Sequence, residues 1–251
     1  MARAPYEVVH EDDDILVINK SPGALTIPDR YDPHKANLLG LLGDRYGKVF
    51  VVHRLDRETS GILVFARTAE AHKMLSAQFQ DREADKFYLA LTTGTPFPNE
   101  DLIDKPIGRD PRGGSRMRID YNGGKPSATA YEVLESYREH ALLRLQLFSG
   151  RTHQIRVHLA SIGHPLAVDP LYGGSEGVML SELKRRGFKL KNGTVERPLL
   201  QRVSLHAYQL AFDHPGNGER AAYSADPPKD FRSTIRQLQK WARVDSPSAQ
   251  Q

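Results

Sequence analysis

The sequence predicts an α+β protein with a central mixed, largely antiparallel sheet flanked by helices and loops. Strand patterns and helix patterns occur in mixed order, and several strand candidates follow one another directly. Strict alternation of strand and helix would instead favour a parallel sheet. The 251 residues contain no internal repeat and no linker that forces a boundary. One domain over residues 1–243 is therefore predicted, followed by a polar, disordered tail over residues 244–251.

The first half of the chain predicts three strands and a helix. Ile15–Ile18 is a short apolar run that ends in a turn at Asn19–Gly23. Ile62–Ala66 is apolar throughout, as expected of a fully buried strand. Thr68 can cap a following helix, whose apolar residues recur at helical spacing. Phe87–Leu91 is the next strand candidate.

The second half predicts two further strands and two helices. Residues 141–147 alternate over most of their length, as in a half-buried strand. Residues 155–162 have apolar side chains at helical spacing, and Gly163 stands where a left-handed helix end is expected. Residues 206–212 alternate and predict a late strand. A terminal amphipathic helix is predicted to begin after residues 226–228, which read Asp-Pro-Pro.

Composition excludes several kinds of chemistry. The chain has no cysteine, which excludes disulfides, thiol nucleophiles and cysteine-ligated zinc or iron–sulfur sites. No apolar run approaches the roughly 18 residues that a membrane-spanning helix needs, and the N-terminal segment lacks the apolar run of a signal peptide. The sequence therefore predicts a soluble cytoplasmic protein, without membrane association, whose chemistry uses oxygen and nitrogen side chains.

Positive charge is mild overall but concentrated locally. The 35 Lys and Arg residues exceed the 31 Asp and Glu residues by four, which is compatible with a polyanionic partner without showing one. Between Lys105 and Lys125, six basic residues stand against two acidic ones. Two Gly-Gly pairs mark this segment as an excursion that is too polar to bury. Solvated loop charge is the alternative interpretation.

The polar segment Val51–Gly61 directly precedes a buried strand. Loops held by a rigid scaffold commonly carry function. Asp56 stands between Arg54 and Arg57, and neighbouring cations favour an ionised carboxylate, which can act as a nucleophile or a base. The alternative is a structural turn in which Asp56 and Thr59 satisfy backbone donors.

A second polar cluster, Ser149–His158, runs from a strand end into a helix. Arg151 lies at the predicted helix N-terminus, where the helix dipole disfavours a cation unless an anion is near. A carboxylate such as Asp56 would explain this placement, and a solvent-facing arginine is the alternative. No metal site is predicted, because His153 and His158 are five residues apart and do not share a helix face.

Taken together, these segments resemble the RluA family of pseudouridine synthases. The matches are H-R-L-D-x-x-T-S-G at His53–Gly61, the segment Lys86–Ala90, and G-R-T-H-Q-I-R-x-H-L at Gly150–Leu159. Asn19–Gly23 resembles the family's early N-K-P-x-G motif, with Ser21 where Pro is usual. The resemblance implies the pseudouridine synthase fold. About 14 residues precede the first strand, which resembles members without an N-terminal S4-type RNA-binding domain.

The resemblance implies an enzyme that isomerises specific uridines in RNA to pseudouridine without cofactor or metal. Asp56 would be the catalytic aspartate, Tyr88 the aromatic residue against the flipped base and a candidate base, and Arg151 the partner of Asp56. The expected substrate-binding residues are His53, Arg54, Ile155 and Lys20, of which Lys20 could also be a structural support. The expected RNA-binding residues of the basic segment are Arg109, Arg112, Arg116, Arg118 and Lys125.

The implied partner is rRNA, tRNA or both, and the family implies a monomer. A catalytically inactive RNA-binding protein of the same fold is the alternative, although intact Asp56, Tyr88 and Arg151 argue against it. A nucleoside or glycoside hydrolase would need a second, well-placed acid. The candidates near Asp56, Glu58 and residues 12–14, have no persuasive context. Asp56 could attack the sugar, add to the base or stabilise positive charge at C1′.

Overall fold

The computed structural model describes residues 4–190 and 193–244. All of the tail predicted over residues 244–251 except Val244 lies outside these described residues. The strands within them are β1 (Tyr6–Glu11), β2 (Ile15–Lys20), β3 (Phe50–Val51), β4 (Ser60–Ala66), β5 (Asp85–Thr93), β6 (Glu100–Asp104), β7 (Ile107–Arg109), β8 (Met117–Ile119), β9 (Ala128–Ser136), β10 (His140–Leu147), β11 (Leu205–Asp213) and β12 (Arg220–Ser224). The helices are α1 (Leu38–Tyr46), α2 (Ala69–Asp81), α3 (Gln154–Ser161), α4 (Leu180–Lys184) and α5 (Lys229–Trp241).

Most of the strands belong to one mixed sheet in the order β1-β2-β4-β11-β5-β10-β9-β6, with β3 beside β4 and β12 beside β11. Strand β11 runs parallel to β4, whereas the pairs β1–β2, β2–β4, β6–β9 and β11–β12 are antiparallel. Strands β7 and β8 form a separate antiparallel pair. The predicted α+β class and the mixed, largely antiparallel sheet are confirmed.

The chain divides into two compact units. The first comprises Met1–Tyr88, Gln146–Thr152 and Leu205–Pro227, and the second comprises the remaining three segments. Two of the five boundaries fall within strands β5 and β10, whereas domain boundaries usually lie in exposed linkers. The single catalytic domain over residues 1–243 therefore stays a prediction.

The core of the first unit lies between its sheet strands and helix α2. All seven residues of β4 are buried, as its apolar run predicts. The Thr68 hydroxyl accepts a hydrogen bond from the backbone N–H of Ala71 at 3.1 Å, so the predicted helix cap is confirmed. Gly61 at the start of β4 has φ +121°, and a Cβ atom there would lie 2.1 Å from the carbonyl oxygen of Ala207 on β11. Only glycine allows this close approach.

The second unit corrects one expectation about the basic segment. Ile107 at its base is only 2% exposed and packs with Val157 of α3 and with Tyr172. Asp110 is buried as well. The expectation that the segment is too polar to bury is therefore wrong for its base, because a few apolar residues of β7 and β8 pack against α3. Within residues 4–190 and 193–244, no helix is long and apolar enough to cross a membrane.

Candidate functional site

The loop between β3 and β4 places Asp56 on a backbone that is fixed by hydrogen bonds. The carbonyl of Leu55 accepts a hydrogen bond from the buried hydroxyl of Thr26 at 3.1 Å. The carbonyl of Asp56 itself accepts from the backbone N–H of Thr59 at 3.1 Å, which closes a turn. The backbone of this half-buried aspartate is therefore positioned by the protein before any substrate arrives.

Lys20 supports the same loop from the end of β2. Its fully buried ammonium donates hydrogen bonds to the carbonyls of Ser21 at 3.1 Å, Ala24 at 2.7 Å and Arg57 at 2.8 Å. The Arg57 carbonyl also accepts from the backbone N–H of Gly23 at 2.9 Å. An ammonium has three N–H donors, and protein carbonyls already engage it at three points. These contacts give Lys20 a structural role in the loop, and its expected role in substrate binding stays a prediction.

The first unit contains a cavity of about 460 Å³ that brings together four of the residues expected from the sequence. His53 and Arg54 reach it from the loop before Asp56, Tyr88 from β5, and Arg151 from the segment after β10. Arg54 also donates a hydrogen bond to the hydroxyl of Thr152 at 3.3 Å, which ties the loop to the residue after Arg151.

Tyr88 is buried at this cavity and responds to the charge of Asp56. Burial raises the pKa of the Tyr88 hydroxyl, and the negative charge of Asp56 raises that pKa further. Asp56 and Tyr88 are therefore close enough to interact electrostatically. At neutral pH the cavity wall is a neutral aromatic ring whose hydroxyl keeps its proton.

His53 is the second titratable group at the cavity whose ionisation is shifted. Its Nε2 atom accepts a hydrogen bond from the backbone N–H of Val64 at 3.2 Å, and its ring stacks on Phe79 with centroids 4.6 Å apart. Burial, followed by the positive charge of Lys86, lowers the pKa of His53 from 6.5 to about 3. His53 is therefore neutral at physiological pH, and because Nε2 accepts, its proton is on Nδ1.

We expect His53→Gln to flatten the acid side of the stability profile. Below pH 6.5 the unfolded chain protonates His53 whereas the folded chain does not, down to a pH of about 3. The free energy of unfolding of the wild type should therefore fall by up to about 1.4 kcal/mol per pH unit from this group. The glutamine amide can still accept the Val64 N–H but does not titrate. Urea unfolding at several pH values measures the slopes, and equal slopes for both proteins would contradict the assignment.

The remaining predicted residues lie in the second unit. Ile155 is buried in helix α3. In the basic segment, the guanidinium groups of Arg112 and Arg116 contact the Asp110 carboxylate at 2.7 Å and 3.2 Å. Arg118 lies 3.8 Å from Asp120. In the part of the chain that the structure describes, the exposed Arg109 and Lys125 form no ion pair.

One group of side chains has the donor set of a metal site. His10, Asp12 and His214 offer ligand atoms within 4.8 Å of one another. The Nε2 atoms of the two histidines lie 2.5 Å and 2.9 Å from the same Asp12 oxygen. Burial opposes the ionisation of Asp12, but hydrogen bonds from His10, two backbone N–H groups and His214 outweigh it and lower its pKa to about 2. Nδ1 of His214 accepts the Gly216 N–H, so its proton is on Nε2 and points to Asp12. Hydrogen bonds alone account for this group.

Lys86 is a cavity residue for which the sequence predicts no role, although it begins the segment Lys86–Ala90 that carries the family resemblance. Lys86 also lines the cavity and is buried. The available signal was its spacing, because residues two apart on a strand point to the same face and Tyr88 follows two positions later.

Comparisons with known proteins agree on one family. Residues 14–161, more than half of the chain, match the family model described as RNA pseudouridylate synthase. A Neisseria meningitidis protein named ribosomal large subunit pseudouridine synthase D is 36% identical over 245 residues, which cover 96% of this chain and 63% of that protein. The chain thus spans less than two thirds of that relative's length.

A shorter relative matches almost end to end. The dual-specificity RNA pseudouridine synthase RluA of Escherichia coli K12 is 35% identical over 225 residues, which cover 89% of this chain and 93% of that protein. The solved structure of human RNA pseudouridylate synthase domain containing 4 aligns with a TM-score of 0.69 at 23% identity, covering 95% of this chain and 94% of that one, and so shows the pseudouridine synthase fold. The chain therefore belongs to the RluA family of RNA pseudouridine synthases.

Proposed function

We propose that the protein isomerises specific uridines in RNA to pseudouridine and that Asp56, Tyr88 and Arg151 carry the reaction. The observation that supports this most is that buried Tyr88 and Arg151 line one cavity, beside the loop that carries Asp56. A carboxylate on a fixed backbone, an aromatic wall and a guanidinium group are the groups that the chemistry needs.

The reaction breaks the bond between N1 of uracil and C1′ of the ribose, turns the base over and joins C5 to C1′. The proton lost from C5 is balanced by one gained at N1, so substrate and product are isomers and no oxidant or cofactor is consumed. Hydrolases of glycosidic bonds use two carboxylates, one of which activates water or attacks the sugar. Here a single carboxylate, Asp56, serves the sugar or the base, and Arg151 pairs with it and orients it.

Tyr88 has the role of a neutral wall in this proposal. Because burial and the Asp56 charge raise the pKa of its hydroxyl, the ring faces the base without a charge of its own. Stacking on such a ring offsets part of the few kcal/mol that flipping a base out of RNA costs. Retaining the detached uracil between aromatic and cavity walls also keeps water from the sugar. Arg54, exposed beside the cavity, fits the space vacated by the flipped nucleotide.

The names of the relatives suggest the substrate class. One relative is named for the large ribosomal subunit and another for dual specificity. We therefore take rRNA, tRNA or both as the substrate. Incubating the purified protein with each RNA and mapping pseudouridine chemically tests the proposal. Product in neither RNA, with binding intact, would favour the catalytically inactive RNA-binding alternative. Cytoplasmic location, a monomeric state and freedom from cofactor and metal stay predictions from the sequence.

The basic segment is proposed to contact RNA phosphates. Three of its cations, Arg112, Arg116 and Arg118, lie beside acidic residues, whereas Arg109 and Lys125 form no ion pair with a described residue. We expect Arg109→Gln and Lys125→Gln each to reduce the slope of log affinity against log salt by about 0.7, the value for one lost phosphate contact on single-stranded RNA. Arg112→Gln should change the slope less, because Asp110 already engages Arg112. RNA binding measured across a salt series tests this. Unchanged slopes for both Arg109→Gln and Lys125→Gln would reject the RNA contact.

A further inference from the structure

Lys86 is a buried cation for which no anion is in place. It is 7% exposed and lines the cavity of the first unit. Among the residues that the structure describes, none accepts a hydrogen bond or forms an ion pair with its ammonium; the closest specific partner is the ring of Phe79, 5.6 Å from Nζ. The side chain is mostly buried while its ammonium is open to the cavity, so an anion bound in the cavity could reach it.

The acidic residue that precedes Lys86 in the chain forms no ion pair with it. Asp85 precedes it on β5, and successive side chains on a strand point to opposite faces. The Asp85 carboxylate is engaged on its own face by Arg220 at 2.5 Å and by Gln146 at 3.4 Å. The described residues that line the cavity include no acid. The charge of Lys86 is thus left for a ligand.

Arg82 adds a second positive charge to the same cavity. It ends helix α2 in a left-handed conformation with φ 67°, and its side chain also lines the cavity. No described residue forms an ion pair with Arg82. Burial lowers the pKa of the Lys86 ammonium, the charge of Arg82 lowers it further, and Asp85 opposes this shift. An anion bound between Lys86 and Arg82 would offset both the cost of burying the Lys86 charge and the repulsion between the two cations.

We propose that Lys86 and Arg82 form an anion subsite that binds a phosphodiester of the RNA beside the flipped uridine. Lys86 and Tyr88 lie two residues apart on one face of β5, so about 7 Å separates their backbones, within the reach of a single nucleotide. A base against Tyr88 therefore places a neighbouring phosphate near Lys86. Assigning the anion to RNA rests on the proposed function, whereas the anion site itself does not.

Inorganic phosphate tests the anion site without any reference to activity. Melting temperatures are measured in increasing phosphate against chloride at equal ionic strength, for the wild type, Lys86→Met and Lys73→Met. Lys73 is an exposed residue of α2 and serves as the matched control. We expect phosphate to stabilise the wild type and Lys73→Met, and its apparent dissociation constant to rise at least about tenfold in Lys86→Met, since the buried charge contributes most of the attraction. Equal stabilisation of Lys86→Met by phosphate would overturn the site.

Two further measurements keep the result interpretable. Removing an unpaired buried charge should leave the melting temperature without phosphate unchanged or higher, so misfolding is not expected. The exposed Arg82→Gln provides a second variant, which should also weaken phosphate binding. Unweakened phosphate binding in Arg82→Gln would remove Arg82 from the site.

RNA is the second probe, and it distinguishes the source of the anion. For a single-stranded oligouridylate, the slope of log affinity against log salt should decrease by about 0.7 in Lys86→Met and stay unchanged in Lys73→Met. Loss of phosphate binding with an unchanged RNA slope would overturn the assignment to RNA. Failure to detect pseudouridine with any RNA would refute the proposed function and leave the phosphate result standing.

Discussion

Asp56→Asn is expected to lower the rate of pseudouridine formation by about 10²–10³-fold, the loss typical of removing a group that stabilises charge in a transition state. Asparagine has the size of aspartate and retains a carbonyl acceptor but carries no negative charge. The hydrogen bonds that fix the loop use the carbonyls of Leu55, Asp56 and Arg57, so the substitution leaves them in place. Fold and RNA affinity should therefore be retained. Single-turnover assays with mapped product measure the rate.

Glu58→Gln is the matched control for this experiment. Glu58 lies in the same loop, and its carboxylate is 3.6 Å from the guanidinium of Arg57 on the protein surface. Exposed pairs of this kind contribute at most about 1 kcal/mol, so the control should keep its activity and stability. A large loss of activity in Glu58→Gln would instead identify Glu58 as the second acid that a hydrolase requires. Undiminished product from Asp56→Asn would remove Asp56 from the reaction.

Asp169→Ala is expected to reduce the free energy of unfolding by about 3–5 kcal/mol, the range for breaking a buried ion pair. Asp169 is fully buried, and its two oxygens accept hydrogen bonds from Nε of Arg156 at 2.7 Å and Nη2 at 2.8 Å. Asp169 also accepts the backbone N–H of Leu171 at 3.2 Å. Arg156 is only 8% exposed. The substitution therefore leaves a buried guanidinium without the carboxylate that accepts its two hydrogen bonds.

An exposed pair in the chain gives the comparison. The Arg144 and Glu132 side chains approach to 2.7 Å, but both are about half exposed. Glu132→Gln should therefore cost less than about 1 kcal/mol. Urea unfolding measures the free energy of unfolding of each variant, from the midpoint of the unfolding curve and its dependence on urea concentration. Similar losses for Asp169→Ala and Glu132→Gln would show that burial does not determine the strength of these pairs.

Elements whose signal is local could be predicted from the sequence. The apolar run at Ile62–Ala66 predicts a buried strand, and Thr68 predicts the start of α2, because burial on both faces and side-chain capping are encoded within a few residues. The burial of Ile107 could not be predicted in the same way. It depends on contacts with Val157 and Tyr172, which are distant in the chain. Short strands in a polar segment give no periodic signal of their own.

The site shows the same division between local and distant information. The motifs name His53, Arg54, Tyr88 and Arg151, and the structure places all four at one cavity. That convergence follows from the family resemblance and not from spacing along the chain. A structural role for Lys20 also came from the resemblance alone, because a buried lysine that donates to three carbonyls has no sequence pattern.

The way in which the Asp56 loop is held has a genetic consequence. Thr26 and Lys20 bind carbonyls 29 and 37 residues away in the chain, so the rigidity of the loop depends on side chains encoded outside it. A screen for loss of function should therefore recover substitutions at Thr26 and Lys20 alongside those at Asp56. Alleles at these supporting positions should be temperature-sensitive, since heating loosens a loop that has lost one anchor, whereas alleles at Asp56 should be null at every temperature.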